Sequence, residues 1–233
     1  MPTPEEVRAI VEASPLAVAA HDKSAWTALF APHGQVHDPV GSRPHTTTEA
    51  ISRFYDMFIA PNTIVFDVEH DVIAGEVMVR DLTVRTTMST GVTLHIPMHL
   101  RYRVIDDAGG EGRPRIAGLY AHWELRGMIW QLLRSGPRGL AAGIVLGPRL
   151  LRTLGPRSAA GFLSGLRGVG APGRHRAVDL LRSRGLRTGK ALAAGPMVTV
   201  TVFDGDRRGL ALVDFTPTST PTSTPTITLL FPT

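Results

Sequence analysis

The chain has 233 residues, of which 43% are apolar and 19% charged, which excludes a disordered protein and fits a large domain or a domain with an extension. Because it contains no cysteine, disulfides, thiolate nucleophiles and cysteine metal sites are excluded. The net charge of +5 is uneven: residues 1–126 hold 11 basic and 16 acidic side chains, and residues 127–233 hold 14 and 4. This asymmetry predicts two parts with different roles.

The first part begins with two predicted helices. Thr3 and Glu6 form a capping box around Pro4, and the apolar stripe that follows indicates an amphipathic helix. Asp22 is the predicted N-cap of a second helix. That helix is expected to carry Trp26, Leu29 and Phe30 and to end at Pro32-His33-Gly34.

A carboxylate follows the next predicted element. Gln35–Asp38 reads as a short strand that leads into the turn Asp38-Pro39-Val40-Gly41. The third helix, over residues 48–58, then presents the apolar face Ile51, Phe54, Tyr55 and Phe58. A carboxylate beside so much apolar surface is either solvated at the strand end or placed at the mouth of an apolar pocket as a proton carrier.

Alternation of period two begins after Pro61 and predicts an antiparallel meander. The predicted strands are residues 64–73, 76–86, 92–104 and 115–125. Three helices followed by such a meander indicate an α+β fold with the helices on one sheet face.

The third of these strands has two different faces. One carries Leu94, Ile96, Met98, Leu100 and Tyr102, and the other His95, His99, Arg101 and Arg103. The polar face is typical of solvent or of a subunit interface. His95 and His99 are a candidate metal pair, but the sequence offers no third ligand at a convincing spacing, so we expect no metal. His122 and Glu124 are a further candidate acid/base pair.

The order of these elements, with Asp-Pro-x-Gly after the first strand, x-x-Phe-Tyr on the third helix and Tyr120-Ala-His-Trp-Glu124 at the end, resembles the nuclear transport factor 2-like superfamily, and within it the ketosteroid isomerases. The resemblance covers about residues 3–126. It implies a cone-shaped, curved antiparallel sheet with three N-terminal helices, cofactor-free chemistry, a hydrophobic ligand and a homodimer through the exposed sheet face. Because the fold is shared by enzymes, binders and adaptors, it does not fix the function.

The resemblance assigns the general base to Asp38, with Tyr55 as a supporting or replacement hydrogen-bond donor. The substrate-binding residues that it implies, together with the apolar pattern, are Ser14, Phe30, Phe54, Met98, Leu100 and Trp123. Ser14 and Met98 stand where ketosteroid isomerases have the two donors of the oxyanion hole, a tyrosine on the first helix and a protonated aspartate on a long strand. A serine hydroxyl is a weaker acid than a phenol and methionine cannot donate, so the base is retained and its partners are largely lost.

Limonene-type epoxide hydrolases belong to the same superfamily. Their Asp/Arg/Asp arrangement is not matched, because Arg101-x-Arg103 lacks the required acid.

The second part is divided by composition into a basic helical extension over residues 127–195, a β-hairpin over 196–215 and a low-complexity tail over 216–233, which is expected to be disordered. Residues 127–190 carry 12 basic side chains and the acidic Asp179. Arginine on apolar helices indicates an interfacial helix at an anionic membrane, a lid over an apolar cavity or a solvated basic face. Sparse aromatic residues and the lack of a binding motif argue against nucleic acid.

Two function classes follow. The first is a cofactor-free isomerase or related proton-transfer enzyme, similar to ketosteroid isomerases or polyketide cyclases, that acts on a steroid-like or polycyclic hydrophobic ketone. The second is a non-catalytic lipid- or steroid-binding or scaffold protein that contacts anionic membranes through its basic extension. The N-terminus has neither a basic segment nor an apolar one, so the expected location is the cytoplasm, with membrane association in the second class.

Overall fold

A computed structural model describes residues 1–106, 112–144, 148, 161–162, 164–216 and 225–233. Its helices are α1 (Pro4–Ala19), α2 (Lys23–Ala28), α3 (Thr48–Phe54), α4 (Leu125–Arg134) and α5 (Gly170–Arg182). A π-helical turn, Tyr55–Ile59, continues α3, and Ser164–Leu166 form a 3-10 turn. Residues 136–144 are also helical. Within the described ranges, no helix is both long and apolar enough to cross a bilayer.

The first sheet has the order β1-β5-β4-β3-β2. Its strands are β1 (Phe30–His37), β2 (Thr63–Ala74), β3 (Val77–Thr87), β4 (Thr93–Asp106) and β5 (Pro114–His122). β2 to β5 form the predicted antiparallel meander, whereas β1 pairs with β5 in parallel. The prediction of an α+β fold with a curved antiparallel sheet and several helices is therefore confirmed.

Local capping explains where the first helices begin. The Thr3 hydroxyl accepts a hydrogen bond from the Glu6 amide, and the Glu6 side chain accepts one from the Thr3 amide, which completes the predicted capping box. Asp22 caps α2 through the amide of Ala25, as predicted. The predicted end of α2 is wrong, because the helix stops at Ala28 and Phe30 already pairs with Ile116 of β5.

The second sheet was only partly predicted. It has the order β6-β7-β8-β9, with β6 (Arg187–Ala194), β7 (Met197–Asp204), β8 (Arg207–Asp214) and β9 (Thr226–Leu230). The hairpin of β7 and β8 is confirmed. The prediction of a purely helical extension is wrong at β6, which pairs with β7. The prediction of a disordered tail is wrong at β9, which pairs with β8. The repeat at 217–224 lies outside the described residues, as do residues 158–160 and 163 of the basic extension.

The second sheet has its own core and also covers the polar face of β3 and β4. Ala177 and Leu181 of α5 pack with Val198, Val200 and Val202. On the opposite side, His99 of β4 is fully buried, and its ring nitrogens bond to the hydroxyls of Thr199 and Thr201 at 2.8 and 3.0 Å. The expected solvent or subunit-interface position of His99 is therefore wrong, because the chain's own second sheet occupies it.

A buried carboxylate joins the two sheets. Asp81 of β3 is 5% exposed and forms ion pairs of 2.6 Å with Lys190 and 2.7 Å with Arg208, while Thr201 donates a hydrogen bond to it. Burial would raise the pKa of Asp81, but His99, Lys190 and Thr201 outweigh it and hold that pKa well below its ordinary value. This charge cluster ties the second sheet to the first.

Candidate functional site

An apolar cavity of about 160 Å³ lies between the first sheet and the helices. Its walls come from α1 to α4, the π-helical turn, strands β2 to β5 and the segment around residue 162. The lining includes Ser14, Val18, Trp26, Asp38, Phe54, Phe58, Ile59, Asn62, Ile64, Phe66, Val84, Thr86, Met88, Leu94, Ile96, Met98, Leu100, Tyr102, Leu119, Trp123, Met128, Leu132 and Phe162. Among these lining residues, Asp38 and Tyr102 carry the titratable groups.

The parallel pairing of β1 and β5 brings the acid to the cavity. His37 is in register with Tyr120, so both strands end at the same edge of the sheet. Asp38 follows the last residue of β1, and Trp123 follows the last residue of β5. Residues that are 85 positions apart in the chain therefore meet at one end of the cavity.

Trp123 orients the carboxyl group. Its indole Nε1 donates a hydrogen bond of 2.6 Å to Oδ1 of Asp38. Among the described residues no donor reaches the second oxygen, Oδ2. Burial raises the pKa of Asp38 to about 6, and the bond from Trp123 acts in the opposite direction. Trp123 was predicted only as a substrate-binding residue, so its hydrogen bond to Asp38 was not predicted from the sequence.

The turn that carries Asp38 is held from the second sheet. Gly41 has φ +92°, a conformation that favours glycine, and an added Cβ there would overlap the Cα of Gly195 in the β6–β7 turn. The hydroxyl of Ser164 also donates a hydrogen bond of 3.1 Å to the carbonyl of Gly41. The C-terminal part of the chain thus packs directly against the candidate site.

A phenol lies in the cavity at a position that the sequence analysis assigned only to an apolar strand face. Tyr102 of β4 is 1% exposed and interacts with the hydroxyl of Ser14, which accepts a hydrogen bond of 3.1 Å from the indole of Trp26. Burial raises the pKa of Tyr102, the Ser14 hydrogen bond lowers it, and the charge of Asp38 contributes a further rise. Tyr102 therefore stays protonated at neutral pH and is a hydrogen-bond donor within the electrostatic reach of Asp38.

Five of the predicted pocket residues line the cavity with Asp38. They are Ser14, Phe54, Met98, Leu100 and Trp123. Phe30 does not line it, because β1 begins at this residue and its ring packs on Trp26 at 4.8 Å. Tyr55 does not line it either, since its ring packs on the other side of Trp26 at 5.6 Å and its buried hydroxyl has no hydrogen-bond partner among the described residues. The expectation that Tyr55 turns inward as a donor is therefore wrong.

A comparison with protein families gives a match in the N-terminal half of the chain. The family model described as the SnoaL-like domain matches residues 7–109, so this part of the chain is similar to SnoaL-like domains. The match includes α1 to α3 and most of the first sheet, so it contains Asp38 and Tyr102, whereas Trp123 and the second sheet lie outside it.

Three solved structures are similar to between about half and two thirds of the chain. A Δ5-3-ketosteroid isomerase from Mycobacterium sp. is 26% identical over 53% of this chain and 96% of its own, with a TM-score of 0.47. A Mycobacterium tuberculosis protein in complex with estradiol-17beta-hemisuccinate is 23% identical over 52% and 95%, also at 0.47. An M. tuberculosis LEH-like epoxide hydrolase is 17% identical over 62% and 98%, at 0.48.

The other candidate groups near the first sheet lie outside the cavity. His122 is buried, which lowers its pKa well below the ordinary value, and neither ring nitrogen has a hydrogen-bond partner in the described part of the chain. Glu124 instead pairs with Arg174 at 2.6 Å. His95 is exposed while His99 is bonded to two threonines, so this candidate metal pair is not assembled, and no group of three metal-ligating side chains occurs among the described residues.

Proposed function

We propose that the chain is a cofactor-free isomerase, or a related proton-transfer enzyme, that acts on a steroid-like or polycyclic hydrophobic ketone with Asp38 as general base. The observation that supports this proposal is the Asp38 carboxyl group at a mostly apolar cavity, where Trp123 bonds to Oδ1 and no donor among the described residues reaches Oδ2. A base with a pKa near 6 is mostly ionised at pH 7 and still basic enough to move protons.

The reaction begins with transfer of a proton from the carbon alpha to the ketone to Oδ2 of Asp38. The electron pair of that C–H bond moves into the ketone, and negative charge develops on its oxygen. Tyr102 donates a hydrogen bond to this oxygen in the proposal. Asp38 then returns the proton to another carbon of the conjugated system, which completes an isomerisation without net loss of atoms.

The same first step serves a second outcome in a substrate that carries another carbonyl group. Attack of the enolate carbon on that carbonyl would close a ring and break the C=O π bond, and the alkoxide so formed would take the proton back from Asp38, which is polyketide cyclase-like chemistry. In either case the protein contributes a desolvated base and one donor, and each lost donor of this kind costs about 10²–10³ in rate. The two outcomes are distinguished by the mass and connectivity of the product.

The experiment is hydrogen exchange into a panel of polycyclic ketones in D₂O, followed by mass spectrometry and NMR. Asp38→Asn should lower the exchange rate by at least about 10³, the scale expected of a required acid/base group. Asp67→Asn is the matched control, because Asp67 is a carboxylate paired with Arg85 on the exposed sheet surface. Full exchange activity in Asp38→Asn would end the proposal.

Binding without chemistry is the second candidate function. It is favoured by Ser14 and Met98, which lie in the cavity at the two positions where the family resemblance places oxyanion donors. This candidate predicts that an apolar ligand copurifies, is seen by native mass spectrometry and is recovered unchanged after long incubation. Deuterium incorporation that depends on Asp38 would reject it.

A further inference from the structure

The outward side of the helical segment 125–144 carries large apolar side chains in water. We name the outer patch Trp130, Leu133, Leu140 and Ile144, which are 59%, 64%, 64% and 64% exposed. Elsewhere in the described residues, large exposed apolar side chains are scattered along α1, β2, β9 and the N-terminus. Because groups of exposed apolar side chains mark interaction sites, we expect the outer patch to bind a partner.

The helix that carries the outer patch is firmly attached to the domain. The side chain of Gln131 accepts a hydrogen bond of 2.9 Å from the amide of His95 and donates one of 2.7 Å to its carbonyl, so it pairs with the edge of β4 as a strand residue would. On the inner side of α4, Met128 and Leu132 line the apolar cavity. The helix α4 therefore forms a cavity wall on one side and carries Trp130 and Leu133 of the outer patch on the other.

Along the sequence, the segment that contains the outer patch carries charges of one sign. Residues 125–178 contain nine arginines and no acidic side chain. Arg134 and Arg138 are exposed, and the Arg134 guanidinium lies 5.8 Å from the centre of the Trp130 ring. Tryptophan and arginine on an apolar helix face are typical of helices that lie in the boundary between lipid headgroups and acyl chains.

We propose that the outer patch docks the chain on an anionic lipid bilayer, with Trp130 and the three aliphatic side chains in the acyl boundary and Arg134 and Arg138 on lipid phosphates. Charge complementarity favours this occupant, since Arg134 and Arg138 lie next to the patch in the chain and neither forms an ion pair with a carboxylate among the described residues. Docking would place the cavity wall formed by α4 against the source of a hydrophobic substrate. That last consequence rests on the proposed function, whereas the docking does not.

Tryptophan fluorescence offers a direct readout on the full chain. Trp26 and Trp123 are buried at 2% and 6% exposure, so a change of environment on docking falls on Trp130. Vesicles of phosphatidylcholine with phosphatidylglycerol should shift the emission to the blue, and brominated acyl chains should quench it. Vesicles of phosphatidylcholine alone should have a much weaker effect. No shift with the anionic vesicles, or equal binding to both compositions, would overturn the proposal.

Matched variants separate the apolar contribution from the charge contribution. Leu133→Gln with Leu140→Gln, which changes no charge, should weaken vesicle flotation by tenfold or more, as expected for keeping two leucines out of the acyl layer, whereas Leu16→Gln, at a leucine 69% exposed on α1, should not. Arg134→Gln with Arg138→Gln should weaken it by about tenfold, and Arg103→Gln with Arg184→Gln by much less. Equal losses in test and control variants would contradict a defined docking face.

Two further outcomes are informative. If the outer patch instead binds a second copy of the chain, analytical ultracentrifugation will show a dimer that Leu133→Gln dissociates, without vesicle binding, and the proposal fails. Ketone exchange in detergent-free solution is measured in parallel. Since the outer patch does not line the cavity, loss of docking with normal exchange, or loss of exchange with normal docking, identifies which of the two proposals has failed.

Discussion

A hydrogen bond of 2.6 Å joins the indole of Trp123 to the carboxylate of Asp38, two residues that follow neighbouring parallel strands. The bond holds Oδ1 in place. Because the carboxyl group is planar, the bond also restricts the position of Oδ2. It also lowers the pKa of Asp38 against the larger effect of burial. Orientation and basicity of the proposed base therefore depend on the same indole.

The first prediction concerns the pH dependence of ketone exchange. Because only ionised Asp38 accepts a proton, the rate should rise with pH through about 6 and level off above about 7. Trp123→Phe removes a bond that lowers the pKa of Asp38, so the midpoint should move upward. Trp130→Phe, at an exposed indole away from the cavity, is the control. A midpoint that is unchanged in Trp123→Phe would argue against the role of this bond.

The second prediction is that removal of the proposed base stabilises the protein. The pKa of Asp38 is raised from 3.8 to about 6 in the folded state, so the folded protein loses stability as pH rises from about 4 to about 6. Asp38→Asn removes this loss and should be more stable than the natural chain at pH 7.5 by about 1–3 kcal/mol. Urea unfolding measures it.

The pH also supplies the control for that measurement. Near pH 3 the carboxyl group is largely protonated in both folded and unfolded chains, so the two proteins should be nearly equal in stability. An Asp38→Asn variant that is less stable at both pH values would show that the carboxyl group has a structural role rather than a strained, desolvated one.

The third prediction tests the phenol in the cavity. Tyr102→Phe should lower the exchange rate by about 10²–10³, since it removes the proposed donor to the developing oxyanion, and should leave the Asp38-dependent pH midpoint nearly in place. Tyr55→Phe is an internal control of the same chemistry. Its hydroxyl is buried without a hydrogen-bond partner among the described residues, so this change should leave the rate unaltered and the stability equal or higher. The reverse ranking would return the donor role to Tyr55.

The fourth prediction concerns the charge cluster between the sheets. Asp81→Asn leaves Lys190 and Arg208 without their buried partner and should destabilise the fold by about 3–5 kcal/mol in chemical unfolding. Asp67→Asn, which breaks the exposed pair with Arg85, should change little. Because the folded pKa of Asp81 is depressed, its contribution is present above about pH 4 and lost as pH falls further. Equal effects of the two substitutions would show that the cluster does not hold the sheets together.

Local signals predicted much of the first sheet and its helices. The capping box at Thr3, the cap at Asp22 and the alternation of the long strands depend on neighbouring residues, and the structure reproduces them within a few positions. Phe30 was misplaced because its strand is set by pairing with Ile116, far along the chain. Sequence also indicated that Asp38 lies beside apolar side chains, since the turn and the following helix are adjacent.

Long-range contacts account for what sequence did not predict. On an alternating strand, Tyr102 cannot be told from a core residue until α1 brings Ser14 against it. The burial of His99 depends on threonines about one hundred residues later. β9 was not predicted because its apolar run follows a Pro-Thr-Ser repeat, and only pairing with β8 gives that run a place.

The close approach of Gly41 and Gly195 bears on any attempt to transplant the half of the protein that carries the candidate site. A fragment ending near residue 126 would keep Asp38 and Trp123 but lose the contacts that pack against the turn carrying Asp38. It would also open His99 and Asp81 to water. An engineered version of this protein should therefore retain the C-terminal sheet, because that sheet supports the structure of the candidate site.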